Sequence, residues 1–561
     1  MRQTPSAVTC SWPLEIWTPR ILNLTTPRAG QQRKEEGKLM SEEQTEHKHW
    51  IVYPLGSKPK WGLAVLLGIQ QYLTMFGATV LIPFIVGGAM GLPPEELALM
   101  ISTIFFTSGL CTLIQQSPLG NKLPVIQGGT FSFLGPTFAI LGLCTAELAT
   151  SAGVPLWQLK IQMVAGAIMV ASVVEIVLGY TGIMGQVRKL ISPIVIGPTI
   201  AMIGLALFGI GAPWMATNWI ISLITLIALI LYSQVFSHKS KVFMLFPVLL
   251  AIATGWLFSL LGTITGMIPE GNAANLAGKL GLIGSAPWIS FMPMMPFKWG
   301  FPDFGSSVLW AGVFGMLAGY LASMIESIGD YYACARISEA PVPTGKMISR
   351  GLGAEGLGCL VAGILQTANG TTTYSENIGS IGLTKVASRR VVRCGAAVML
   401  IIPVIGKFGA VLATLPMPVV GAMFVGLFGM IASVGLSNLQ IVNLNNSRNL
   451  FIIGISFFAG LSVPFWFTPH YDVGTGQIVS GALAWGTPGS FINVIGNIFQ
   501  AILSTGMAVT AIIGIILDNL LPGASRAERG LEIWESEASD EAWEEAEAKW
   551  AAMQEGEMRP V

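Results

Sequence analysis

The chain has 561 residues, is 52% apolar and only 11% charged, contains 66 glycines and has a mean hydropathy of +0.66. That excludes an ordinary soluble domain, in which about a quarter of residues are charged, and reads as an all-α polytopic membrane protein. Its formal net charge is zero, so nothing points to a nucleic-acid partner or to electrostatic adhesion.

Residues 1–50 are polar, lack an apolar signal core and contain Met40. They read as a cytoplasmic extension, of which residues 1–39 are either a disordered extension or an overlong start, and no function is assigned to them. A bilayer-crossing helix needs about 20 apolar residues, and about fourteen such runs follow. In the first half they lie near 61–86, 96–115, 125–144, 160–180, 190–212, 218–236 and 243–263; in the second, near 306–329, 350–366, 374–384, 390–414, 417–436, 449–467 and 494–521. With the amino terminus inside, the cytoplasmic loops hold Lys122, Arg188, Lys189, Lys239, Lys241, Arg336, Lys346, Arg350, Lys385, Arg389, Arg390, Arg393 and Arg448, and the outer loops little beyond Lys160, Lys279 and Lys298. That asymmetry supports an even span count and two cytoplasmic ends. Residues 523–561 are strongly acidic, with Trp534, Trp543 and Trp550 at near-helical spacing, and read as a solvated cytoplasmic tail or a short interfacial helix. The sequons at Asn23, Asn369 and Asn445 fall inside the cell or the membrane on this topology and predict no glycosylation.

Two expected spans are too broken for plain helices: Gln127–Pro136, third in the first set, and Thr371–Gly379, third in the second. Interrupted segments at matching places in two halves point to a transporter site near the midplane, where irregular backbone lines a cavity. Seven spans per half would make the second half inverted. The competing reading is that the glycines only let helices pack closely.

Two carboxylates stand at membrane depth, Glu326 in the run Val308–Ile328 and Glu376 in the glycine- and threonine-rich stretch Asn369–Lys385. A charge there costs a few kcal/mol or more and persists when it faces a cavity, a partner or a solute. Glu326 and Asp330 are four apart, so on a helix they share a face, and two like charges so close call for a proton, a sodium ion or a basic side chain such as Arg336. Asp330 alternatively lies in solvent at the interface. Glu376 follows a Thr/Ser run that ends at Ser375, and a short helix starting near Asn377 would put its carboxylate at the positive end. Two acceptors facing one cavity suit a solute rich in N–H donors. Gly128–Phe133, with Thr130 and the ring of Phe131, would add backbone donors and an aromatic face. Glu175 and Lys407 read as interface or packing residues, and the six scattered cysteines as buried thiols.

At these residues the sequence resembles the nucleobase/ascorbate transporter family, also called nucleobase:cation symporter 2. Its signature is met by Glu376-Asn-Ile-Gly-Ser-Ile-Gly-Leu-Thr-Lys385, and Gln70–Thr79, Gly128–Phe133 and Ile325–Arg336 agree in the right order, over roughly residues 50–520. The resemblance implies fourteen spans in a 7+7 inverted repeat, a transporter domain over 51–522 with a core (spans 1–4 and 8–11) and a gate (spans 5–7 and 12–14), and short strands in spans 3 and 10. It also implies a homodimer in the plasma membrane. Glu326 and Glu376 would hydrogen-bond the base, Phe131 would contribute its backbone or ring, and Asn377 would support the site. Ser375, Thr130 and Gln71 complete the substrate-binding candidates.

The segments Glu326–Arg336, Gly435–Gln440 and Asn446–Phe451 look most like the animal sodium-coupled ascorbate branch, whose carriers have proline where this chain has Glu376. Ascorbate is an anion and would be repelled by a second carboxylate, so a nucleobase (uracil, xanthine or a relative) is the expected solute, with ascorbate as the alternative. Bacterial proton-coupled uracil carriers have histidine where Asp330 and Gln71 stand. An acid at 330 suits sodium, held by Asp330 with Glu326, and a protonated Asp330 serves proton symport equally. No cofactor beyond this coupling cation, Na+ or H+, is expected. A channel lacks its continuous polar path. An enzyme lacks a nucleophile–base pair, a metal spacing and a phosphate-binding loop. A transport-inactive sensor, or an anion exchanger of related architecture, would share the fold.

Overall fold

The computed structural model describes residues 51–553 except 188–189, 207, 241, 244–245, 468–469, 473–476, 480–484, 486–490 and 533–539. Expectations placed on residues 1–50, Arg188, Lys189, Lys241, Trp534 and the tail beyond 553 lie outside the described residues.

The first half runs α1 (Trp61–Met90), α2 (Pro94–Gln115), β1 (Gln127–Gly129), a 3₁₀ turn (Phe131–Phe133), α3 (Leu134–Leu143), α4 (Ala146–Ala152), α5 (Leu156–Tyr180), α6 (Ile183–Val187), α7 (Pro193–Leu205), α8 (Phe208–Ala216), α9 (Trp219–Ile230) and α10 (Pro247–Ile264). After α11 (Leu280–Ser285) come α12 (Ser307–Ile337), α13 (Gly345–Ile364), β2 (Thr371–Thr373), α14 (Ser375–Thr384), α15 (Arg389–Ile401), α16 (Gly406–Ala413), α17 (Met417–Ser437) and α18 (Ser447–Phe467). A hairpin of β3 (His470–Asp472) and β4 (Gln477–Val479), then α19 (Phe491–Leu503), α20 (Gly506–Leu520) and α21 (Asp540–Ala551), completes the chain. Proline opens α2, α7 and α10, where the missing N–H has no partner to lose, and Gly91, at φ 76°, closes α1 in the left-handed region.

Among the described residues nine helices are long and apolar enough to cross a bilayer. The number reaches eleven if two pairs bent by 77° (Phe131–Leu143 with Ala146–Ala152) and 82° (Arg389–Val404 with Gly406–Ala413) each count as one span. This is fewer than the about fourteen expected. The difference lies in short segments: α7, with 13 residues, and α20, with 15, are apolar but too short, and α14 has 10 and is partly polar.

Helices pack in two groups. In one, α5 lies along α13, α12 packs on α3 and α5, and α15 packs on α1 and α2; in the other, α17 packs on α7, α8 and α9, α10 on α9, and α18 on α20. Close approach sets one key position in each. A Cβ at Gly179 of α5 would overlap the backbone of Gly353 on α13, and one at Gly435 of α17 would overlap the backbone of Ala201 on α7.

The acidic tail differs from the solvated reading. Trp543 and Trp550 of α21 are buried, stack edge-to-face at 6.0 Å, and belong to the same apolar cluster as Ile51, Leu55, Tyr331 and Leu352. Trp543 donates to the Val342 carbonyl at 2.9 Å, so the helix is anchored by its tryptophans while Asp540, Glu541, Glu544 and Glu545 are exposed and Glu547 turns to Arg389. The five described cysteines, Cys111, Cys144, Cys334, Cys359 and Cys394, are buried thiols.

Candidate substrate site

β1 and β2, 244 residues apart in sequence, pair antiparallel with Gln127 opposite Thr373, Gly128 opposite Thr372 and Gly129 opposite Thr371. Each strand uses its backbone groups on the other, which removes the cost of carrying extended chain through an apolar interior. Asn369 ties the pair together beyond the ladder, accepting from Thr130 N at 2.7 Å and donating to Thr130 O at 3.0 Å. Asn369→Ala leaves both groups unpaired at a buried position. The variant is expected to lose about 1–3 kcal/mol per orphaned group, read as a lower melting temperature of the detergent-solubilised protein.

A cavity of about 290 Å³ opens where the strands hand over to helices. One wall is polar, with Gln70 and Thr74 of α1, Phe131, Glu326 of α12, and Ser375, Glu376 and Ser380 of α14. The lining that α10 and α17 supply is apolar: Val248 and Leu249 of α10, and Leu427, Met430, Ile431 and Val434 of α17. The ring of Phe131 meets Phe428 of α17 edge-on at 5.0 Å, closing one side.

Of the residues singled out in the sequence, Glu326, Glu376, Phe131 and Ser375 line this cavity. Glu326 stands four residues beyond Ala322, the middle of the 31-residue α12, and its Oε2 accepts from Ser132 Oγ at 3.4 Å. Helix α14 begins at Ser375 rather than Asn377, which places Glu376 within the first turn, where the helix dipole favours a carboxylate.

The other four sit behind the wall. Asn377 donates from Nδ2 to both the backbone O and the Oε1 of Gln71, each at 2.8 Å, and Ser380 Oγ donates to the same Oε1 at 3.1 Å. Gln71 is thus a brace between α1 and α14, and its neighbour Gln70 faces the cavity. Thr130 is buried and caps the 3₁₀ turn through Ser132 N. Asp330 is buried, not solvated at the interface; Oδ1 accepts from Ser375 Oγ at 2.7 Å, and Oδ2 has no hydrogen-bond partner among the described residues. Arg336, considered as a counter-charge in the sequence, is exposed at the end of α12.

Sequence reading missed Glu355 of α13. Its Oε1 accepts from Thr373 Oγ1 at 2.6 Å, Tyr331 OH at 2.7 Å and Gln127 Nε2 at 3.2 Å, while Oε2 has no partner among the described residues. Because Gln127 and Thr373 are the paired residues at one end of the strand ladder, Glu355 clamps both strands from behind. The signal was a lone acid in the small, apolar run Gly351–Ile364. Glu175, read in the sequence as an interface or packing residue, is buried on α5, and Lys407 donates to the Gly284 carbonyl at 2.9 Å.

The Permease family profile matches residues 62–468. Solute carrier family 23 member 2 of Homo sapiens is 39% identical over 520 residues, covering 86% of this chain and 76% of the relative. Solute carrier family 23 member 1 of Mus musculus is 39% identical over 529 residues, covering 88% and 84%. Nucleobase-ascorbate transporter 5 of Arabidopsis thaliana is 35% identical over 496 residues, covering 86% and 91%. Among solved structures, that of SLC26A9 superposes with a TM-score of 0.50 at 12% identity, covering 89% of this chain and 73% of that one, a likeness of fold alone. With apolar helices of membrane-crossing length, a cavity of small-molecule size and relatives that are transporters, the chain is an integral membrane protein that belongs to the nucleobase/ascorbate transporter family, the xanthine/uracil permease family its motifs resemble.

Proposed function

We propose that the protein carries a nucleobase (uracil, xanthine or a related purine or pyrimidine) across the plasma membrane together with a cation, by alternating access. The observation that supports this most is that Glu326 and Glu376 line one cavity, facing an apolar wall. Two carboxylates offer only acceptors, which matches the imide N–H groups of a base, and Phe131 supplies an edge or face for a planar ring. An anionic solute would meet two like charges.

For the coupling cation, Asp330 supports the reading. It is one turn from Glu326 on α12, and Ser375 Oγ bonds it while Ser375 also lines the cavity. Carboxylate and hydroxyl oxygens are the ligands a hard cation takes, and a proton would serve the same carboxylate. Loading either would offset the charge next to the base and couple the two solutes. The same proposal includes fourteen spans as two inverted repeats, with a core bearing the strands and a gate bearing α10 and α17. The split of the cavity into a polar and an apolar wall supports that division. A homodimer with both chain ends cytoplasmic completes it.

Ascorbate is the second reading, favoured by the likeness of Glu326–Arg336 to the ascorbate branch. The test is uptake of radiolabelled uracil, xanthine and ascorbate into proteoliposomes with sodium and proton gradients imposed separately, for the wild type and Glu376→Pro. Proline is tolerated in the first turn of a helix, so the variant keeps α14 and removes the carboxylate. Gradient-driven base uptake that falls by about tenfold or more in the variant is expected from loss of a charge-assisted bond. Ascorbate uptake by the wild type, without base uptake, would overturn the assignment.

A further inference from the structure

A second cavity lies between residues 55–58, the start of α15 and the carboxy-terminal helix α21. Its volume is about 300 Å³, at the low end of the about 300–1,000 Å³ typical of small-molecule pockets. Among the described residues, Lys58, Arg389, Arg390 and Arg393 line it against one acid, Glu547.

Neighbouring groups hold the guanidinium groups in place. Arg389 donates from Nε to the Lys122 carbonyl at 2.7 Å and binds both oxygens of Glu547, at 2.6 and 3.0 Å, with its guanidinium 5.7 Å from the Trp550 ring. Arg390 donates to the Pro59 carbonyl at 3.1 Å and lies 4.7 Å over the ring of Trp61. Among the described residues Arg393 makes one long bond, 3.4 Å to the Gln116 carbonyl, which leaves most of its five N–H donors for other acceptors.

We propose that this pocket binds a phosphate monoester, the anion recognised by Lys58, Arg389 and Arg393 converging beside the start of α15, in competition with Glu547. A single carboxylate satisfies one guanidinium fork, as Glu547 does. A dianionic phosphate has three terminal oxygens and can engage several forks and an ammonium at once. Trp61 is 63% exposed next to Arg390. Exposed tryptophan and arginine at the start of spanning helices mark headgroup level, so the phosphate can arrive on a lipid or from solution.

The test uses the full-length protein purified in detergent. Binding is measured for two probes that share a headgroup, short-chain phosphatidylinositol 4,5-bisphosphate and inositol 1,4,5-trisphosphate. Affinity for at least one probe is expected to fall about tenfold or more, about 1.4 kcal/mol, in the K58Q/R393Q double variant. It is expected to rise severalfold in Glu547→Gln, which frees Arg389. Binding of the lipid alone names a lipid headgroup as the ligand, and equal binding of both names the phosphate itself. No binding of either probe, an unchanged double variant, or weaker binding by Glu547→Gln overturns the proposal. If the double variant does not fold, the direction of the Glu547→Gln change decides.

Discussion

Replacing Glu326 by glutamine is expected to lower base uptake by about 10–100-fold, the difference between a charge-assisted and a neutral hydrogen bond at a water-poor site. The substitution keeps volume and keeps an acceptor for Ser132 Oγ, so the yield of folded protein should match the wild type. It also puts an amide N–H₂ where the proposed solute presents N–H, so the variant loses an attraction and gains a clash of donors. A double-mutant cycle with Glu376→Gln sharpens the result. If one molecule bridges both carboxylates, the double variant should be little worse than the poorer single one, because residues that share a partner are not additive. Strictly additive losses, measured as uptake at sub-saturating base, would place the two acids in separate sites and contradict a shared cavity.

Asp518→Ala is expected to be the most damaging substitution outside the cavity. Asp518 has a fully buried side chain at the end of α20; Oδ1 meets Arg448 Nη1 at 2.7 Å, and Oδ2 meets Arg529 Nη2 at 2.7 Å and Ser192 Oγ at 2.6 Å. Four chain segments converge there: the entry to α7, the start of α18, the end of α20 and the loop before residue 530. Removing the carboxylate leaves two largely buried guanidinium groups without their anion, a loss of about 3–5 kcal/mol. Thermal unfolding followed by size-exclusion chromatography measures it. Asp518→Asn keeps one accepting oxygen, for a single guanidinium, and turns an NH2 toward the other donors, so it should recover only a minor part of the loss. Wild-type stability of the alanine variant would show that the arginines find other partners.

How much of this was legible depended on chemical contrast. Glu326 and Glu376 stood out because an acid in an apolar run has few explanations, and both face the cavity. Phe131 and Ser375 came with them, since they belong to the broken segments that form the ends of the strands. Position one residue along was not legible. Gln70 and Gln71 are adjacent and chemically identical, and only the turn of α1 decides that the first faces the cavity and the second braces Asn377. Glu355 was overlooked because its partners, Gln127, Tyr331 and Thr373, come from three other elements and nothing local announces them. The apolar wall of α10 and α17 looks in sequence like any lipid-facing surface. The docking of α21 escaped for the opposite reason: its acids dominate the composition, while two tryptophans determine where it lies.

The strand pair also constrains the order in which the protein can be made. Gln127–Gly129 is synthesised long before Thr371–Thr373, and during that interval its backbone donors and acceptors have no ladder to join. Extended chain with unpaired groups is not stable in lipid, so the newly made segment must wait in a hydrated or shielded setting at the insertion machinery. The candidate site is therefore incomplete until α17, with Val434, has been made, well past the middle of the chain. A chain arrested before residue 371 would carry half of a cavity and no site, and quality control that senses unpaired strand edges would read completeness of the transporter directly from this contact.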